Sequence, residues 1–286
     1  MIAVTGATGK LGRLVIASLL QRIPANEIVA AVRNPGKAAE LAAQGVTIRE
    51  ADYTRPETLE AAFAGIDKLL LISSSEIGQR VQHHRNVIDA ARRAGVKLFV
   101  YTSLLHADTS QINLAEEHRL TEAAIRASGL PYVILRNGWY TENYEDTVRS
   151  AVQNGVLVGS AGDGRISSAS RADYAEAAAV VLTTEGHEGK VYELAGDEAW
   201  TMDDLAREIS RQVGRDIPYR NVDPGEYASL LTRSGIPEAY ARMIAGWDEA
   251  IAAGSLFDDG RQLSALIQRP TTPMARTVEA WLKQNR

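Results

Sequence analysis

The sequence predicts an α/β fold built on a doubly wound parallel sheet, and three observations carry that prediction. Short β-branched runs alternate with longer helix-period segments through the first 136 residues. The runs are apolar throughout rather than alternating, as strands covered on both faces must be. A turn with glycines spaced by three, Gly6-Ala7-Thr8-Gly9-Lys10-Leu11-Gly12, joins the first run to the first helical segment.

Taken in order, residues 2–5 read as a strand and 10–21 as a helix. A second strand covers 28–32, a helix 36–44, and a third strand 46–50. Pro56 opens a helix over 56–64, since proline suits a first helical position. The apolar run 68–72 is the fourth strand, and the helix over 79–94 stops at Gly95. A strand over 97–102, a helix over 114–128 stopped by Gly129, and a strand over 132–136 complete the series. From residue 137 the pattern changes to glycine-punctuated stretches and helices. Thr201 is a capping residue ahead of Met202-Asp203-Asp204, with acids in the first turn. Helices follow over 224–233, 237–253 and 273–283, each opening on proline. Residues 1–136 are therefore expected as a nucleotide-binding domain. Residues 137–286 are expected as a smaller, mostly helical and mainly substrate-binding lobe, some of whose segments return to the first domain.

Composition narrows the function classes. The chain is 45% hydrophobic and 23% charged, with a formal charge of −5 and scattered Lys and Arg. Such a distribution predicts no nucleic-acid partner, which would need a basic face. There are 0 cysteines, which excludes thiol catalysis and thiolate metal sites and suits a reducing compartment. No apolar run reaches the roughly 18 residues of a membrane span, and no signal peptide is read at the N-terminus. A cytoplasmic enzyme is expected.

The strongest motif is the Gly6–Gly12 turn. Glycines permit a tight turn and close backbone approach, while a helix N-terminus offers free N–H groups and a positive dipole end to a pyrophosphate. Lys10 would oppose the dipole unless an anion binds there. The end of strand two selects the dinucleotide. Asp or Glu there serves ribose hydroxyls, whereas arginine suits a 2′-phosphate. Val32-Arg33-Asn34-Pro35 stands at that point, so the expected cofactor is NADP(H). Ligands in such sheets lie beyond the carboxyl ends of the strands. This brings in Ala51-Asp52-Tyr53, Ser73-Ser74-Ser75, Ser103-Leu104-Leu105 and Asn137-Gly138-Trp139-Tyr140 as further candidate linings.

Absences carry chemistry too. No tyrosine has lysine four positions on, so the Tyr-x-x-x-Lys dyad of ketone reductases is missing. Reducing a simple ketone makes an alkoxide that needs a proton donor. A quinone yields a delocalised and far less basic phenolate, so the missing dyad favours electron-poor acceptors or no catalysis at all. It also disfavours a sugar-nucleotide epimerase. The adjacent His83 and His84, and His106 and His187, offer no ligand set for a metal and are expected to be solvated or capping residues. No Gly-x-Ser-x-Gly elbow signals a hydrolase.

The Gly6–Gly12 turn, Val32-Arg33-Asn34-Pro35, Leu71-Ile72-Ser73-Ser74-Ser75, Tyr101-Thr102-Ser103 and the stretch from Leu135-Arg136-Asn137 to Glu142-Asn143-Tyr144 resemble the NmrA-like branch of the atypical short-chain dehydrogenases, on the side of its bacterial quinone reductases. The likeness extends to the segment 186–196 and to Pro270-Thr271-Thr272-Pro273. It implies a Rossmann-like domain and NADPH in an extended cleft. The implied contacts are Gly6, Ala7, Thr8, Gly9, Lys10, Leu11, Gly12, Arg33, Ser73, Ser74, Ser75, Asn137, Gly138, Trp139, Tyr140, Thr141, Glu142 and the backbone near Ala169. A quinone or similar small molecule would lie over the nicotinamide, with Asn137, Tyr140 and His118 as candidate catalytic residues. His118 enters because Gly129-Leu130-Pro131-Tyr132 aligns with a segment of the plant reductases and sets it at their lysine position, on a helix expected to face the cleft. A dye reductase of the triphenylmethane type is an alternative. So is a redox sensor of the NmrA type, which binds the dinucleotide without turning it over.

Overall fold

The computed structural model describes residues 1–283. Its elements run β1 (Ile2–Thr5), α1 (Lys10–Leu20), β2 (Ile28–Val32), α2 (Ala39–Ala43), β3 (Thr47–Glu50), α3 (Pro56–Phe63), β4 (Lys68–Leu71), α4 (Arg80–Ala94), β5 (Leu98–Leu104), α5 (Ala115–Ala127) and β6 (Tyr132–Asn137). They continue with α6 (Glu145–Asn154), β7 (Leu157–Gly159), α7 (Arg171–Thr183), β8 (Val191–Leu194), α8 (Met202–Val213), β9 (Tyr219–Asn221), α9 (Pro224–Arg233), α10 (Glu238–Ala252), α11 (Gln262–Ile267) and α12 (Met274–Lys283).

Seven strands form one sheet in the order β3-β2-β1-β4-β5-β6-β8, and the pairings from β3 to β6 are parallel. The chain winds outward from β1 through β2 to β3, then returns to β1's other edge as β4. That reversal between β1 and β4 is where a doubly wound sheet opens a crevice beyond its strand ends. Every residue of β1 and β2 is buried, which explains their uninterrupted apolar sequence. One side chain layer, including Ala3, Val29, Leu69, Leu71, Phe99 and Tyr101, meets residues of α3, α4 and α5 such as Leu59, Phe63, Val87 and Ile125. On the opposite side α1 packs against α7.

The chain divides into two compact units. The first comprises Met1–Ala107, Leu114–Asn137 and Arg171–Glu193. The second comprises Asp108–Asn113, Gly138–Ser170 and the chain from Leu194 on. In the second unit β7 pairs in parallel with β9, α9 packs on α10, and α8 on α12. Thr201 caps α8 in a full capping box: its hydroxyl accepts from the Asp204 amide, and the Asp204 carboxylate accepts from the Thr201 amide. Among the described residues, no helix is long and apolar enough to cross a membrane.

Most ends fall within one residue of those read in the sequence, and two elements differ by more. The helix expected over 36–44 is a 3-10 turn, Pro35–Ala38, followed by the five-residue α2. The Asn34 side chain accepts from the Gly36 amide and holds the tighter turn. The fifth strand runs on to Leu104 rather than 102, because its pairing with β6 continues as far as Leu104 opposite Asn137.

Candidate functional site

The phosphate turn owes its shape to two glycines. Gly6 has φ +58°, a left-handed conformation that glycine adopts without steric cost. Its carbonyl accepts from the Gly9 amide at 2.9 Å and closes the turn. A Cβ on Gly12 would lie 2.3 Å from the Gly6 carbonyl oxygen and 2.7 Å from the Ala7 Cα, so only glycine lets α1 start this close to β1. A Cβ on Gly9 would meet only the Gly6 oxygen at 3.1 Å. The protein itself therefore demands glycine most strongly at Gly12, and the side of the turn at Gly9 is left open toward the cavity. Arg13 pins the turn from α1 by donating through Nε to the Thr8 carbonyl at 3.1 Å.

α1 begins with no side-chain cap and no acid in its first turn, so its dipole end and free amides are not satisfied locally. They open on a cavity of about 610 Å³. Lining it are Gly6, Thr8, Gly9, Lys10, Leu11 and Gly12 from the turn, Arg33 after β2, Ala51 to Thr54 after β3, Ile72 to Glu76 after β4, and His83 on α4. Ten of the expected cofactor residues thus meet at one place: Gly6, Thr8, Gly9, Lys10, Leu11, Gly12, Arg33, Ser73, Ser74 and Ser75. Ala7 does not join them. It is fully buried behind the turn, where its Cα is the surface against which Gly12 packs. The cradle fits a dinucleotide's pyrophosphate in shape and sign. Free amides, the close backbone approach at Gly9 and the cations Lys10 and Arg33 all suit an anion.

The loop after β4 is rigidly held. Arg80 donates through Nε to the Ser74 carbonyl at 2.7 Å, and its guanidinium pairs with Glu117 at 3.1 Å. Glu117 also accepts from the Gly78 amide at 3.0 Å. The Ser74 amide donates to His84 Nε2 at 2.9 Å. Because an amide can only donate, His84 carries its proton on Nδ1 and gives it to Thr121 Oγ1, 2.9 Å away. Burial, reinforced by the nearby His118, Arg80 and His83, pushes the His84 pKa down to about 2, so it stays a neutral acceptor. Of the two expected alternatives, solvated or capping, His84 takes the second, capping a loop amide from a buried position. His83, with Nδ1 3.3 Å from Ser74 Oγ, is likewise buried rather than solvated.

Tyr53 closes the cavity's other wall. Its hydroxyl lies 2.7 Å from Thr5 Oγ1 and donates to the Ile72 carbonyl at 3.1 Å, and burial raises its pKa. Ala51, Asp52 and Tyr53 line it as expected from the end of the third strand, whereas Ile72, Glu76 and His83 are linings that the sequence reading did not select.

His118 corrects an expectation. It lies one turn into α5 as expected, yet it is buried in the helix layer instead of facing a cleft. Its Nδ1 is 2.7 Å from the Tyr101 hydroxyl. Burial first, and then the Arg80 charge, pushes its pKa down to about 3. A neutral imidazole sealed against a buried tyrosine has no protonated form to offer near neutrality.

The remaining expected residues follow β6. Asn137 ends that strand, buried, and its carbonyl accepts from the Leu105 amide at 2.9 Å. Within the second unit, Tyr140 and Ala169 form a parallel bridge. The Ala169 amide donates to Trp139 and the Thr141 amide to Ala169. Thr141 Oγ1 lies 2.8 Å from Ser168 Oγ, and the Gly138 amide donates to Leu194 at 2.7 Å. Trp139 stacks edge-on against Trp247 at 5.4 Å between ring centroids. Trp139, Tyr140 and Glu142 keep partial exposure, whereas Gly138 and Thr141 are buried. The expected segment 138–142 and Ala169 are thus brought together.

Comparison with known proteins agrees with this geometry. Residues 6–185 match the family described as NAD(P)H-binding. Over 278 residues the chain is 55% identical to quinone oxidoreductase 2 of Escherichia coli, covering 97% of each. It superposes with a TM-score of 0.97 and 54% identity on the crystal structure of an NADPH-dependent quinone oxidoreductase of E. coli complexed with NADPH, covering 99% of this chain and 100% of that one. Triphenylmethane reductase of Citrobacter sp. complexed with NADP(H) is similar at 43% identity and a TM-score of 0.95, over 98% of this chain and 100% of that one.

Proposed function

We infer the function of a chain that belongs to the NAD(P)H-binding family, in its NmrA-like branch: it is an NADPH-dependent oxidoreductase that reduces a quinone or a similar electron-poor acceptor. The observation that carries this reading is the uncapped start of α1 opening, across Gly9, on a cavity with Arg33 at its rim. Full-length similarity to a quinone oxidoreductase supplies the acceptor class.

NADPH, when bound, supplies the hydride. The chain's own residues do the rest. Gly6, Thr8, Gly9, Leu11 and Gly12 bring backbone to the pyrophosphate, with Lys10 and the α1 dipole opposing its charge. Arg33 takes the 2′-phosphate, a charge-assisted contact that contributes on the order of 1.5–3 kcal/mol. Ser73, Ser74 and Ser75 present hydroxyls and amides from a loop that His84, Arg80 and Glu117 hold still. The segment Gly138–Glu142 with Ala169, held together within the second unit, is the candidate for the nicotinamide and acceptor by resemblance, with Trp139, Tyr140 and Glu142 as its partly exposed members.

No side chain is assigned as an obligatory acid. His118 is neutral and enclosed, and its role is to hold Tyr101 and α5 in place. Reduction to a weakly basic hydroquinone oxygen can take its proton from water. A regulator of the same fold would need the cofactor site alone. The 55% identity to a reductase along nearly the whole chain favours the enzyme.

The test is direct. Purified protein mixed with NADPH and a benzoquinone or naphthoquinone should consume the reduced cofactor catalytically, with hydroquinone formed in equal amount. Tight NADPH binding without turnover on any quinone would establish a sensor instead.

A further inference from the structure

Arg33 does not stand alone at the rim of the cavity. Its Nη1 is 2.9 Å from Glu76 Oε1, while Glu76 Oε2 lies 4.0 Å from His83 Nε2. The strand order β2-β1-β4 sets the loops after β2 and β4 on either side of the turn that follows β1. The Arg33–Glu76 pair therefore spans the phosphate turn, and both residues line the same cavity as Gly9 and Lys10. We propose that Glu76 is a specificity-determining residue that competes with the 2′-phosphate for Arg33 and so sets how strongly the protein prefers NADPH to NADH.

The position of Glu76 is built rather than incidental. Two residues before it, Ser74 is fixed through its amide to His84 and through its carbonyl to Arg80. The Glu76 amide donates to Ser74 Oγ at 3.2 Å, and two residues later the Gly78 amide donates to Glu117. A carboxylate carried on a loop anchored at both sides cannot swing far from Arg33.

The two cofactors meet that carboxylate differently. A 2′-phosphate is an anion that must take Arg33 from Glu76 or share it, at the cost of like-charge proximity. A 2′-hydroxyl is a neutral donor, which a carboxylate can accept from directly. Arg33 thus selects for the phosphate and Glu76 offsets part of that selection. The pair is exposed enough for salt to screen it, with side chains 72% and 43% accessible.

This inference rests on the reading that Arg33 meets the 2′-phosphate, and the experiment separates the two. Dissociation constants for NADPH and NADH are measured by calorimetry, without any acceptor, for the wild type, Glu76→Gln and Arg33→Ala. Glutamine keeps the size of the side chain and removes only the charge. The ratio of the NADH to the NADPH constant should rise at least about threefold in Glu76→Gln, an effect of the size expected for an exposed charge pair. The rise should shrink as salt is added. Arg33→Ala should weaken NADPH by roughly ten- to a hundred-fold and NADH far less. If Arg33→Ala is selective and the Glu76→Gln ratio moves less than threefold, or falls, the role of Glu76 is overturned while that of Arg33 stands. If Arg33→Ala weakens both cofactors equally, the phosphate assignment is what has failed.

Discussion

Two buried carboxylates, Glu122 in the first unit and Asp248 in the second, are driven in opposite directions. Glu122 on α5 is 1% exposed, and Asp248 on α10 is 8% exposed. Burial disfavours the charge on both. Around Glu122 that effect is outweighed, because Arg136 donates to both oxygens at 2.9 Å and Ser103 to one at 2.6 Å, with Arg126 beside them. The net result holds the Glu122 carboxyl below the usual glutamate range. Among the described residues, Asp248 is bonded by Ser160, whose amide and hydroxyl approach Oδ2 at 2.7 and 3.4 Å, and by no cation. Burial therefore prevails and raises its pKa to about 6. Depth alone does not decide the charge of a buried acid. The presence of a cation in bonding geometry does.

The contrast has a consequence for function. The Glu122–Arg136 pair ties α5 to the ends of β5 and β6, and Arg136 also bonds Glu193 on β8 at 2.7 Å. β6 ends in the candidate residue Asn137, so this charge cluster braces that end of the sheet. Asp248 secures the turn after β7.

The largest effect expected from breaking this comparison is at Arg136. Arg136→Met removes the bidentate partner of buried Glu122 and leaves it the half-exposed Arg126, at 3.1 Å from one oxygen, and it should cost about 3–5 kcal/mol of stability. Replacing both partners, Arg136→Met with Glu122→Leu, should recover most of that loss, since a buried pair exchanged for apolar side chains is often near neutral. Denaturant midpoints for the three proteins decide it. A single-variant loss under about 1 kcal/mol would show that Glu122 does not depend on its cation.

Asp248 should respond with the opposite sign. Its folded pKa of about 6 exceeds the ordinary 3.8, so the folded protein holds that proton more tightly than the unfolded chain. Its penalty is then absent below the ordinary value and fully present above about pH 6, and stability falls as pH rises through that window. Asp248→Asn keeps an oxygen for Ser160 and removes the charge. It should stabilise the protein at pH 8 by on the order of 2–3 kcal/mol, from the distance between the two values, and by little at pH 4. Thermal unfolding at both pH values checks this. Equal gains at the two would remove titration as the cause.

Legibility in the sequence followed locality. The Gly6–Gly12 turn, Arg33 and the three serines are read from contiguous residues at strand ends, and they meet in one cavity. Glu76 and His83 were not legible, because their place depends on anchors 10 to 43 residues away: Ser74 reaches His84, Glu117 reaches Gly78, and Arg33 reaches Glu76. His118 was misplaced although a signal existed. The buried stripe of α5 is Ala115, His118, Thr121, Glu122 and Ile125, spaced by three and four, and His118 lies in the middle of it. A polar residue on such a stripe points inward whatever its chemistry suggests. Asp248 falls in the same way between Ala245 and Ile251 on the buried side of α10.

The smallest expected effect sharpens the picture around Asp248. Tyr144 is 8% exposed, and its buried hydroxyl has no hydrogen-bond partner among the described residues. Burial raises its pKa well above the usual range, and the charges of Asp248, Tyr227 and Tyr219 push the same way. The ring is what the fold uses, packing edge-on to Trp200 at 5.0 Å between centroids. Tyr144→Phe keeps that contact and removes a desolvated hydroxyl, so it should be neutral or stabilising by up to about 1 kcal/mol. Because the hydroxyl makes no bond to Asp248, the stability transition near pH 6 should keep its midpoint in the variant. A loss of more than about 1 kcal/mol would reveal a bond that the hydroxyl makes. A midpoint moved upward would place that bond on Asp248, since removing a donor from a carboxylate raises its pKa. Asp248 would then be a partnered acid, and the contrast with Glu122 would rest on the strength of the partner alone.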